Sequence, residues 1–211
     1  RAMATRAGGT TLLSIYGGHL LDALDHYFGG IAQITARGAI HLPPVDETGA
    51  PVDRDAFDHL QFHGSLAGGA LFNIDLAGVS PTAMGCRWRI DGTEGSLILA
   101  ARDAGVPAME TLALSGARHG GALEPIMIPA ALECPAIPAE PDRYMAYPGL
   151  PAGREALSAI GNLYGELGDA IRRDGAVTPD FRRAVEIQRL LATIDPDAAD
   201  IRSAHVAGVA A

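Results

Sequence analysis

The sequence predicts an α+β domain, on three observations. Residues 57–76 alternate apolar and polar side chains on either side of a glycine turn, the pattern of a half-buried β-hairpin. Ile160, Leu163, Tyr164, Leu167 and Ile171 recur at helical spacing in the last quarter of the chain. Between the glycine pairs 17–18 and 29–30, the apolar residues Leu20, Leu21, Leu24, Tyr27 and Phe28 follow the same period, giving an amphipathic helix of about three turns.

Taken in order, residues 1–11 are small and polar and read as a chain caught mid-fold rather than a natural start. Residues 12–16 form a short apolar lead, and the helix is expected to open at Gly17. A strand over 31–42, apolar at Ile34, Ala36 and Ile40, is stopped by Pro43-Pro44, and residues 43–56 form a polar loop. In the hairpin, Leu60, Phe62 and Leu66 face one way, while His59, Gln61, His63 and Ser65 face the other. The return strand over 70–76 puts Ala70, Phe72, Ile74 and Leu76 together, with Asn73 and Asp75 opposite. A third strand over 86–90 meets the turn Asp91-Gly92-Thr93-Glu94-Gly95, and residues 96–100 continue beyond it. This predicts an antiparallel meander with one apolar and one polar face.

Short strands are expected over 109–114 and 123–128, then a long proline- and alanine-rich surface connection over 129–153. The apolar stripe from Ile160 makes a helix closed by Gly175. Thr178-Pro179-Asp180 restarts a second, with Thr178 as cap and Phe181, Val185, Leu190, Leu191 and Ile194 as its buried face. Pro196 ends it, and the tail from Ala198 is expected to fray.

Composition sets the outer limits. A chain of 211 residues, 48% hydrophobic and 19% charged, is long and apolar enough to bury one core as a single domain. No apolar run is long enough to span a membrane and no basic-then-apolar start marks a secretory signal, so a soluble cytoplasmic protein is expected. A net charge of -9 argues against a nucleic-acid partner. Cys86 and Cys134 have no metal-type spacing and read as reduced thiols. All 16 basic residues are arginine. The absence of lysine excludes a Schiff base, a P-loop lysine or a lysine proton donor supplied by this chain.

The candidate chemistry centres on His19. An imidazole at a helix entrance, with Asp22 one turn later on the same face, would meet open backbone N–H groups and the positive end of the helix dipole. That makes a plausible small-molecule site, and a packed, hydrogen-bonded histidine at a helix start accounts for the same residue equally well. His59, His63 and Asp75 share a sheet face, yet four residues of strand span about 13 Å, too far for His59 and His63 to bind one ion. No metal is expected, and that face suits solvent or a partner subunit. Gly92-Thr93-Glu94-Gly95 joins two strands and lacks a lysine, so it is no phosphate loop. No G-x-G-x-x-G lies between a strand and a helix, and no G-x-S-x-G elbow occurs. In Arg87-Trp88-Arg89 the two arginines could offer guanidinium groups to an anion, although ordinary surface and core positions suit the alternation better.

The order of these parts resembles the C-terminal domain of the Gfo/Idh/MocA family of NAD(P)-dependent oxidoreductases, from about Gly8 to Ile194. Three markers carry the resemblance: His19-x-x-Asp22 with Gly29 ten residues after the histidine; Trp88-x-Ile90-Asp91-Gly92-Thr93-Glu94-Gly95-Ser96-Leu97; and Asn162-Leu163-Tyr164 followed by Val177-Thr178-Pro179-Asp180-Phe181. The stretch Gly18 to Ala23 is similar to the galactose-repressor-like branch. The resemblance implies an open, mostly antiparallel sheet with helices on one face, of the glyceraldehyde-3-phosphate-dehydrogenase-like type. It implies that the other face pairs with a second copy in a homo-oligomer.

It also implies an NAD or NADP cofactor in the full-length protein, bound mainly by an N-terminal Rossmann domain that this chain does not contain. Residues 1–211 would then be the substrate-binding and oligomerisation domain, inactive alone, of an oxidoreductase acting on a sugar, polyol or related hydroxyl compound. Gly18, His19 and Asp22 would contact substrate, with His19 catalytic and Asp22 orienting it; no cofactor-binding residue is expected here. Gly9, Gly17 and His19 fit the family's second catalytic motif, but Ile15 stands where many members carry an aspartate. An isoleucine neither accepts nor orients a proton. A non-catalytic, ligand-sensing regulator of the same fold is therefore the alternative.

Overall fold

The computed structural model describes residues 3, 5–41, 48–51, 53–78, 85–102, 112–129, 132, 154–195 and 202–205. They divide into two units, one from residues 1–81 with 179–211 and the other from residues 82–178.

In the first unit the chain makes a 3-10 turn at Arg6–Gly8, a π-helical turn at Leu13–Gly17, and then α1 (Gly18–Phe28). The α-helix begins where the glycine pair predicts, at Gly18, but the π-helical turn leads into it from Leu13 without a break. Thr11 and Ser14 bond reciprocally, the Thr11 N–H donating to Ser14 Oγ at 2.8 Å and the Ser14 N–H to Thr11 Oγ1 at 3.1 Å. The Gly17 N–H reaches back to the Leu12 carbonyl at 3.0 Å. Gly17 and Gly18 have ordinary helical dihedrals, φ -60 and -57. Their role is close approach: a Cβ on Gly17 would lie 3.2 Å from Leu13 and 3.7 Å from the Phe62 ring, and one on Gly18 would lie 3.5 Å from Leu191. At the far end Gly29 adopts φ 86, a left-handed cap that costs glycine little, and Gly29 and Gly30 both donate to the Asp25 carbonyl.

β1 (Ile31–Ala39), β2 (His59–Leu66), β3 (Leu71–Ala77) and β8 (Arg202–His205) form an antiparallel sheet in the order β3-β2-β1-β8. A bulge lies between Ile31 and Gln33. Beside it, a Cβ on Gly64 would come 1.9 Å from the Gln33 carbonyl oxygen, so only glycine fits there. One face carries Ile34, Ala36, Leu60, Phe62 and Leu76, all buried. Leu20, Leu21 and Leu24 of α1, with Ile187, Leu191 and Ile194 of a C-terminal helix (Phe181–Ile194), complete this core. The opposite face follows the predicted alternation, with rows Thr35–His63–Asn73 and Arg37–Gln61–Asp75.

The C-terminal helix departs from expectation at its start. Asp180, not Thr178, is the cap, its carboxylate accepting from the Arg183 N–H at 3.0 Å. Of the face expected to be buried, Leu191 and Ile194 are buried and Leu190 is half-buried, whereas Phe181 (91% exposed) and Val185 lie outside the core and Ile187 is buried with the other two.

The second unit holds β4 (Cys86–Gly92), β5 (Gly95–Ala101), β6 (Ala113–Arg118) and β7 (Glu124–Ile126), an antiparallel sheet in that order. The strands expected in one meander over 57–100 thus belong to two sheets, since among the described residues β3 pairs only with β2 and β4 only with β5. Each hairpin satisfies its own backbone groups, and sequence alternation does not say which hairpin joins which. A helix, α2, spans Arg154–Arg173, and the C-terminal helix of the first unit is α3. Residues 103–111, with part of the strand expected over 109–114, Cys134 and the connection over 130–153 apart from Leu132 lie outside the described residues, and the tail expected to fray from Ala198 instead pairs with β1 at Arg202–His205.

Candidate functional site

Three buried leucines and the two glycines hold α1 against the sheet and α3, which turns His19 outward. His19 is exposed and, among the described residues, makes no hydrogen bond or ion pair. It is not at a helix entrance, because the preceding π turn takes up the N–H groups there. The expected help from open N–H groups and the helix dipole is therefore absent at His19; the dipole's positive end lies nearer Thr11. Gly18 is buried in the seam with α3.

Asp22 is half-buried and committed elsewhere. Arg183 of α3 donates from Nε to Asp22 Oδ1 at 2.7 Å and lies 2.6 Å from Asp25 Oδ2 through a terminal nitrogen. The other Asp25 oxygen accepts the Ile31 N–H at 2.7 Å, tying the helix end to the first residue of β1. Burial works to lower the Arg183 pKa, the bonds from Asp22 and Asp25 raise it, and the balance is upward. This guanidinium is a permanent cation between two carboxylates one turn apart. The orienting role expected of Asp22 toward His19 has no hydrogen bond behind it in this structure.

Sequence reasoning missed Arg183. Two signals pointed to it: a pair of carboxylates at i and i+3 on one helix, and a chain whose only strong cations are arginines. A second pair also escaped it, Arg6 to Asp195 at 2.6 Å, which closes the chain's beginning onto the end of α3. Beside that pair lies a cavity of about 190 Å³ lined by Thr11, Ser14, Phe57 and Gln188 among others; His19 is not part of its wall.

On the polar sheet face, His59 Nε2 lies 3.0 Å from Asp75 Oδ1, and Gln61 donates to Asp75 Oδ2 at 2.9 Å. The Gln61 bond, opposed by partial desolvation and helped by His59, holds the Asp75 carboxyl below the usual carboxylate range. The His41 ring sits 5.3 Å from that of His59. In the second unit Arg89 lies against Asp91, and burial pushes the Cys86 thiol upward despite a bond to Trp88.

The described residues form no Rossmann-type dinucleotide cradle. Both sheets are antiparallel throughout, and no described strand enters a helix N-terminus through a glycine-rich turn.

Residues 2–101 match the family described as Gal80p, C-terminal domain. The chain has the fold of a Gfo/Idh/MocA C-terminal domain. The super-repressor mutant of Gal80p from Saccharomyces cerevisiae shares it at 20% identity and a TM-score of 0.69, over 98% of this chain and 52% of that one. Levoglucosan dehydrogenase in complex with NADH and levoglucosan shares it at 20% identity and a TM-score of 0.65, over 95% and 51%. An NAD-binding oxidoreductase from Klebsiella pneumoniae matches at 22% and 0.66, over 95% and 52%. The chain thus spans about half the length of the solved structures it matches. Comparison with curated protein sequences gives no match. No described helix is long and apolar enough to cross a membrane.

Proposed function

We propose that this chain is the substrate-binding and oligomerisation domain of an NAD(P)-dependent oxidoreductase acting on a sugar, polyol or related hydroxyl compound in the cytoplasm. The observation that carries the reading is His19, an outward imidazole without a partner among the described residues, on a helix fixed by Arg183. Such a group is free to accept a hydrogen bond or a proton from a substrate hydroxyl. Asp22, neutralised by Arg183, contributes polarity beside it rather than a second base. The dinucleotide belongs on a separate domain, because the described residues form no glycine-rich strand-to-helix cradle for a pyrophosphate and the chain has no lysine. By itself the chain is then inactive.

Ile15 and the match to the Gal80p domain support a second reading, a ligand-sensing regulator that kept the fold without the acid–base set. The full-length protein should be assayed for NAD(P) reduction against a panel of polyols and sugars, beside its His19→Ala variant. Turnover that falls at least a hundredfold in the variant is the expected result. Binding of dinucleotide and sugar without turnover would favour the regulator.

A further inference from the structure

The second unit holds a feature independent of His19. Arg87 and Arg89 lie two residues apart on β4 and so project from the same face, about 7 Å apart along the strand. Across the sheet that face carries small residues, serines and one buried isoleucine: Arg87 pairs with Ala100, Arg89 with Ile98 and then Ser115, and Asp91 with Ser96 and then Ala117. A cavity of about 370 Å³ opens over it, with both arginines, Ser96 and Gly121 in its wall and no carboxylate among its described lining residues. That volume lies within the range of small-molecule sites.

The two guanidinium groups are not equivalent. Arg89 is held by Nε, which donates to the Asp91 oxygens at 2.9 and 3.1 Å, and among the described residues its two terminal nitrogens make no hydrogen bond or ion pair. Asp91 is itself fixed by the Ser96 hydroxyl at 2.6 Å. That bond first, and Arg89 second, hold the Asp91 carboxyl below the usual carboxylate range, so the brace stays charged. Arg87 makes no hydrogen bond or ion pair among the described residues. One braced and one open guanidinium, over a floor of Ser96, Ile98 and Ala117, give local positive charge in a chain of net charge -9. Paired arginine forks match the oxygens of carboxylates and phosphates.

We propose that Arg87 and Arg89 form a binding site for a small oxyanion-bearing compound, a phosphate monoester or a carboxylate, on the β4–β5–β6 face. Arg89 supplies the fixed contact, Arg87 closes from the side, and the serine and glycine positions let the anion approach the sheet.

The chain's one tryptophan, Trp88, sits between the two arginines in sequence and reports on the strand by fluorescence. The 211-residue chain should be titrated with inorganic phosphate and, separately, with succinate at pH 7, followed by calorimetry and Trp88 emission. Saturable one-site binding of either probe is expected, and the probe that binds names the ligand class. Arg87→Ala and Arg89→Ala should each weaken it at least tenfold, Arg87→Lys severalfold because it keeps charge and loses the fork, and Arg172→Ala on α2 not at all. Unchanged circular dichroism in each variant confirms an intact fold. Absence of saturable binding by both probes, or equal weakening by Arg172→Ala, overturns the proposal.

Discussion

Asp75 joins two side chains of the neighbouring strand, His59 and Gln61, through its two oxygens. Its pKa is lowered by folding, chiefly through Gln61, against partial desolvation and with help from His59. The lowered group binds its proton less readily in the folded than in the unfolded chain. Its stabilisation is therefore complete above the unfolded carboxylate value, about 4, and is lost as the pH falls through the lower folded value. The side chain is 58% exposed, so solvent screening limits the effect to about 1 kcal/mol or less. Asp75→Asn should reduce stability by that amount in urea unfolding at pH 6, and the difference should shrink as the pH is lowered below about 4. The pair itself was half legible in the sequence: alternation put His59, Gln61 and Asp75 on one face, whereas their contact needed the register that sets Gln61 opposite Asp75.

At the scale of elements, Arg183 decides where α1 lies. One guanidinium satisfies carboxylates at Asp22 and Asp25, and Asp25 passes the connection to β1 through the Ile31 N–H. Arg183→Ala leaves two carboxylates facing each other one turn apart, and should cost about 1–3 kcal/mol in chemical unfolding. Arg183→Lys restores the charge without the fork and should recover only part of that loss. Double replacement of Asp22 and Asp25 by Asn in the Arg183→Ala background should recover stability, because the repulsion is removed with the clamp. Helix existence was readable here from the leucine spacing, but the unbroken lead from Leu13 was not. The Gly17-Gly18 pair reads as a break when propensity alone is weighed; in the fold it is a packing notch for Phe62 and Leu191, a tertiary use that sequence period cannot express. Phe181 shows the converse, an apolar residue assigned to a core that stands exposed in the first turn of α3, while Ile187, Leu191 and Ile194 make the buried stripe.

For the whole molecule, the fold class was legible because strand alternation and helix stripes are local signals, while the division of the strands between two sheets is a long-range choice. The polar face of the first sheet carries the remaining question of assembly. Its central row places Arg37 and Asp75 on either side of Gln61, a cation and an anion on one exposed line. A twofold axis through such a row sets Arg37 of one copy against Asp75 of the other, which makes the surface self-complementary. The proposed homo-oligomer should therefore sediment as more than one chain at micromolar concentration, and added salt should weaken it. Gln61→Glu puts a second carboxylate beside Asp75 on each copy and removes the amide that lowers its pKa. That variant should sediment as a single chain with an unchanged fold, whereas Arg172→Glu on α2 should not alter the mass. A single-chain mass for the unmodified protein across that concentration range would remove the assembly role from this face and leave the Asp75 contacts with a structural one.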